Sequence, residues 1–196
     1  METTYCFHLG RNRDLSLAEL RSFFGKEIIS HGEIALLETT IQDPQKTLNQ
    51  LGGILKISQK IDSPISQIIL SQKPEGKIKF GLNIMPQNKN FLRKELKRIK
   101  NELKAAGRNA RFINKDGNLS SAMIVKGGLM KDLTDFNLIK LQNQEIITQT
   151  IAVQDFVTYS LRDYQKPVRL AKEGMLPPKL AQIMINLTGL QTGTLY

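Results

Sequence analysis

Two histidines, one cysteine and 18 carboxylates are what the chain offers for bond-making chemistry. His8 falls in a stretch that reads as a strand and His31 in a His-Gly turn, so both read as structural or solvated residues. Cys6 has no second cysteine for a disulfide or a thiolate metal site, and it reads as a small core residue. Asp155 and Asp163 flank an aromatic segment of Phe156, Tyr159 and Tyr164, yet no partner stands at a defined interval for acid–base work. A Gly-rich phosphate loop, a His-Glu-x-x-His pair and a nucleophile elbow are all missing. The expectation is no catalytic residue and no metal site.

Basic residues are the type that clusters. The chain has 28 Lys+Arg against 18 Asp+Glu, a net charge of +10. Residues 1–63 hold 7 basic and 8 acidic side chains, so the excess belongs to residues 64–196, with 21 and 10. Residues 89–115 alone carry Lys89, Arg93, Lys94, Lys97, Arg98, Lys100, Lys104, Arg108, Arg111 and Lys115 against Glu95 and Glu102. A charge run on a helix alone is ordinarily a solvated face. Here the run continues past the helix, and Phe112 lies among the basic side chains as an aromatic for stacking or packing. Such a surface neutralises phosphates and binds nucleic acid with little sequence preference. Arg162, Lys166 and Arg169 form a second, looser basic set.

The elements that position these residues follow from punctuation and period. Tyr5 to Leu9 reads as a strand, and Ser16 with Glu19 as a capping box opening a helix that ends near Gly25. Two strands follow around His31-Gly32, then a helix with Asp43 as cap and Pro44 at its first position, then a strand from Ile54 to Ile61. This β-α-β-β-α-β order over residues 1–63 is ferredoxin-like. Residues 64–76, with two Pro and Gly76, read as a linker. A second α/β unit spans 77–156: a strand Ile78 to Met85, then a helix Phe91 to Ala106 with Leu92, Leu96, Ile99 and Leu103 as its apolar stripe. Arg93, Lys97, Lys100 and Lys104 fall opposite that stripe. Ala110 to Asn114 and Met123 to Val125 read as strands, or as a strand and a short helix start. A hairpin follows, turning near Asn143. Residues 157–175 read as a polar connector, and Pro177-Pro178 opens a helix with Leu180, Ile183, Met184 and Leu187 on one face.

The run Arg162-Asp163-Tyr164-Gln165-Lys166-Pro167, followed by Gly174-Met175-Leu176-Pro177-Pro178-Lys179-Leu180-Ala181-Gln182-Ile183-Met184-Ile185-Asn186-Leu187, resembles the approach to the catalytic domain of THUMP-containing tRNA guanine methyltransferases. Leu119-Ser120-Ser121-Ala122 and Val153-Gln154-Asp155-Phe156 are similar to segments of the same group. The resemblance implies an α+β chain: a ferredoxin-like domain, then a THUMP-like α/β domain that binds tRNA. Residues 176–196 would start a Rossmann-like methyltransferase domain whose remainder is missing. It implies S-adenosylmethionine as cofactor of the full-length enzyme, with Pro178 and Lys179 beside it, and methylation of the exocyclic amine of a guanine. The loop that cradles that cofactor would begin directly after Tyr196, so this chain is expected to bind no cofactor by itself. The helix at Pro178 is expected to be mobile, packed back on the second unit, or sticky.

Two other readings stay open: a stand-alone RNA-binding or adaptor protein, and a fragment of a DNA amino-methylase. No run approaches the roughly 18 apolar residues of a membrane span, and the first residues lack a basic start with an apolar core. The expected setting is cytoplasmic, with tRNA as partner and no membrane.

Overall fold

The computed structural model describes residues 2–114, 116–142, 144–164 and 176–190. Their elements are, in chain order, β1 (Thr3–Leu9), α1 (Arg13–Phe24), β2 (Ser30–His31), β3 (Ile34–Thr39), α2 (Pro44–Asn49), β4 (Ile54–Ile61), α3 (Ile65–Gln72), β5 (Ile78–Met85), α4 (Lys89–Ala105), β6 (Ala110–Phe112), α5 (Ser121–Lys126), β7 (Asp135–Lys140), β8 (Glu145–Val153), α6 (Phe156–Tyr164) and α7 (Pro178–Leu187). The fold is α+β. Eight strands form one sheet in the order β2-β3-β1-β4-β8-β7-β5-β6. The first four pair antiparallel as 2-3-1-4, the split β-α-β arrangement expected from the ferredoxin-like order.

The second group mixes parallel β5–β6 and β5–β7 pairs with the antiparallel β7–β8 hairpin. That hairpin fuses the two groups, because β8 also pairs with β4 from Lys56↔Val153 to Ile61↔Ile147. One face of the sheet carries two helix-covered cores. Phe7, Leu20, Leu48, Leu51 and Ile57 form the first, under α1 and α2. Phe80, Leu82, Ile84, Leu96, Ile99, Phe136 and Leu138 form the second, under α3 and α4. Strand alternation sends Cys6, Ile34, Met85, Ile139 and Ile146 to the other face, where side chains from β1 and β3 meet those from β5 and β7. The sheet is therefore curved, with this second face inside. Register shifts at His8/Leu9 and at Ile57/Ser58 lie on strands that bend with it.

Several local expectations are corrected. The cap of α1 is Asn12, whose side chain accepts from the Leu15 amide, and the helix begins three residues before Ser16. Ser16 and Glu19 are buried inside α1 and serve tertiary contacts instead. Residues 65–72, in the stretch read as a linker, form α3, which buries Ile65 and Ile69 in the second core. Met123 to Val125 lies in α5, capped by Ser120. The first nine residues after Asp155 are helical as α6. Asn143, the expected turn of the hairpin, lies outside the described residues, as do residues 191–196.

Candidate nucleic-acid interface

α4 buries Leu92, Leu96, Ile99 and Leu103 against β5 and β7, each burial worth about 1.5–3 kcal/mol. Asn88 caps it, accepting from the Phe91 amide at 3.0 Å, and Gly107 ends it at φ 76°, a left-handed conformation that favours glycine. With the apolar stripe fixed inward, the 4-3-4 spacing of Arg93, Lys97, Lys100 and Lys104 forms one exposed row along the outer side. Lys100 Nζ stands 5.9 Å from the ring centroid of Phe112, itself packed edge-on to Phe80. Phe112 is thus a packing aromatic that braces the row. Lys94, Lys97 and Lys104 have no carboxylate partner among the described residues.

Three of the expected contacts are already engaged. The Arg93 guanidinium binds Asp116, and Arg98 bridges Glu95 and Glu102 on the same helix. Arg108 donates to the carbonyls of Pro74 and Gly76, at 3.0 Å for the latter, and so ties down the segment before β5. Arg111 is exposed on the edge strand β6, in register with Lys79 of β5, and alternation turns both to the face opposite Phe112. Arg162 is exposed on α6, its guanidinium 5.5 Å from the Tyr159 ring centroid. Lys115, Lys166 and Arg169 lie outside the described residues.

The inner face holds a second basic feature. A cleft of about 750 Å³ opens between the β1–α1 loop, β4, the end of β5, the residues leading into α5, and the start of α7. Its floor is a buried polar network. Lys56 Nζ donates to Asn137 Oδ1 at 2.7 Å and pairs with Asp135 at 3.3 Å. Asp135 also accepts from Thr150 Oγ1 at 2.6 Å and from Asn83 Nδ2 at 3.0 Å. Asn137 donates to Thr148 and Thr150, and Thr148 passes a bond to Ser58 at 2.9 Å, which lies 3.2 Å from His8 Nε2. Burial, and the Lys56 charge beside it, hold the His8 imidazole well below its usual value, so it is neutral. Burial likewise pushes the Cys6 thiol up to about 12, leaving it unreactive.

Asn114 and Asn118 support the cleft wall, which Asn118 lines. Past Phe80, β5 has no β6 partner on its outer edge, and these two side chains take its place. Asn114 exchanges bonds with the Leu82 amide and carbonyl, and Asn118 with those of Ile84. The pair satisfies an otherwise open strand edge and pins Ser120 and Ser121 over the cleft. The Asn-x-x-x-Asn spacing is visible in the sequence, but nothing local marks it as an edge cap.

α7 docks on the first core, against α1, and not on the second unit, which was one of its three expected placements. Ile183 is buried over Gly52, and Gln182 Nε2 donates to Asn49 O at 2.7 Å. Asn186 Nδ2 donates to Gln50 O and to Glu19 Oε1, while the Glu19 carboxylate accepts from the Gly52 and Gly53 amides at 2.8 Å. Burial raises the Glu19 pKa, opposed by these amide bonds. Pro178, expected beside a cofactor, opens the helix, and Lys179 lines the cleft. A methyl group at position 52 would lie 2.3 Å from the Lys179 carbonyl oxygen. Gly52→Ala is therefore expected to weaken this seat by about 1–3 kcal/mol, read as faster amide exchange in residues 181–187 with the sheet unaltered.

Among the described residues no helix is long and apolar enough to cross a membrane, and no group of three His, Cys, Asp or Glu side chains is placed to hold a metal ion. No family model matches the chain, and no curated protein matches it. Among solved structures it is similar to a 4-thiouridine synthetase in complex with RNA and bound ATP, with a TM-score of 0.41 and 11% identity. The likeness covers 76% of this chain and 41% of that one, so the chain spans less than half the length of that protein.

Proposed function

We propose that this chain is the tRNA-binding amino-terminal portion of an S-adenosylmethionine-dependent tRNA guanine methyltransferase. The observation that carries the binding part is the exposed row on α4. Lys97, Lys100 and Lys104 stand exposed on α4 with no carboxylate among the described residues to neutralise them, a surface that gains from phosphates and their released counterions. Arg111 and Lys79 continue the positive charge around the sheet edge. The methyltransferase part rests on the resemblance of residues 162–187. Pro178 and Lys179 would stand beside the cofactor in the whole enzyme, where S-adenosylmethionine would supply the methyl group. Within this chain, α7 is held on α1 through Asn186 and on the end of α2 through Gln182.

The test is charge reversal on the row. Lys97→Glu with Lys104→Glu should weaken tRNA binding by about 1–3 kcal/mol, uniformly across tRNA sequences. Stability should be nearly unchanged, since exposed charges contribute little to it. Filter binding paired with a thermal melt reads both. Unchanged affinity would move the RNA to another face.

A further inference from the structure

The cleft is lined by two cations that no carboxylate among the described residues neutralises. Arg11, at the β1–α1 lip, and Lys179, the second residue of α7, both line it. The other cations there are engaged: Arg13 with Glu33 at 3.0 Å, and Lys56 with Asp135 at 3.3 Å. Lys179 Nζ has a neutral partner, donating to Gln154 Oε1 at 2.6 Å, and it lies 5.0 Å from the Tyr159 ring centroid. Burial holds its ammonium below the usual lysine value, the condition in which a cation gains most from an incoming anion. The volume of about 750 Å³ exceeds what a bare inorganic anion fills and suits a nucleotide-sized phosphoester.

Lys179 is also mechanically placed. Its backbone rests against Gly52, and the far end of the same short helix is held by Ser22, Gln50 and Glu19 through Asn186. Whatever draws the ammonium away from Gln154 acts on a helix fixed at both ends. We propose that the cleft is a phosphate-binding site in which Arg11 and Lys179 both hold the anion, and that Lys179 thereby ties occupancy of the cleft to the seating of α7. The ligand is a phosphoester, carried by RNA or by a small phosphorylated molecule. Only the RNA source rests on the function proposed above.

The experiment titrates the whole chain with inorganic pyrophosphate at constant ionic strength and follows amide resonances. Saturable shifts are expected at the Gln154 side-chain amide and along 181–187. Arg11→Gln and Lys179→Gln should each weaken that binding about tenfold, the loss of one charge-assisted contact. Lys46→Gln, on the exposed side of α2, should leave it unchanged. No saturable shift, or shifts that survive both cleft substitutions, would overturn the site. Shifts confined to the cleft with α7 amides unmoved would overturn its coupling to α7. The tRNA arm identifies the source. A salt slope of tRNA binding less steep by about 1 in each cleft variant assigns the phosphate to RNA. An unchanged slope, with pyrophosphate still bound at the cleft, supports a small phosphoester. Pyrophosphate binding without any tRNA binding would overturn the RNA reading while upholding this one.

Discussion

Asp135→Ala is expected to lower the stability of the chain by about 3–5 kcal/mol, the cost of leaving a buried charge without its partner. Asp135 and Lys56 are both buried, and three groups converge on that carboxylate: the Lys56 ammonium, the Thr150 hydroxyl and the Asn83 amide. With the carboxylate removed, Lys56 keeps only Asn137, and the Thr150 donor is orphaned. The cost spreads because these residues come from β4, β8, β7 and β5, so the network spans the junction between the two halves of the sheet. At roughly 2–4 °C per kcal/mol for a chain of this size, the melting temperature should fall by about 6–20 °C. The double variant Lys56→Met with Asp135→Leu should recover most of that loss, because replacing a buried pair by apolar groups of similar size is often neutral. A single-variant loss below about 1 kcal/mol would mean that water already reaches Lys56 and that the cleft floor is not the closed network described.

The parts of this arrangement that depend on neighbours in sequence were legible there. The helix of α4, its apolar stripe and its exposed basic row follow from spacing alone, and the 2-3-1-4 order follows from the succession of strands and helices in the first 63 residues. What stayed hidden depends on partners distant in sequence. Ser16 and Glu19 have the spacing of a capping box, yet Asn12 begins the helix earlier, and both side chains reach instead for the Gly52-Gly53 loop. Pairing of β8 with β4, which turns two expected sheets into one, depends on both edges of β8 being free to bond. No local pattern states that. The cleft is the clearest case: Lys56, Asn83 and Asp135 sit in strands whose apolar neighbours dominate the pattern, and only the curved sheet brings them together. Likewise Arg93, Arg98 and Arg108 look the same in sequence as Lys97 and Lys104, and differ because Asp116, Glu95, Glu102 and the residues 74–76 lie against them.

The RNA binding proposed for the outer row should depend steeply on salt. About five phosphate contacts, drawn from Lys94, Lys97, Lys100 and Lys104 of the row and from Arg111 at the sheet edge, would release their counterions. The contribution is roughly 0.7 per contact for single strands and 0.9 for duplex, so log K should fall against log salt with a slope of about −3.5 to −4.5. Between 50 and 200 mM salt this is a loss of about 100- to 500-fold in affinity. The charge is unevenly placed, since residues 64–196 hold the whole positive excess and residues 1–63 are nearly neutral. The dependence should therefore respond to substitutions on α4 and not to exposed charges on α1 or α2. The most direct measurement is the affinity of this chain for tRNA by filter binding across that salt range. A slope near −4, made shallower by Lys97→Gln and Lys104→Gln, is the predicted result; an affinity independent of salt, or no binding at 50 mM, would contradict it.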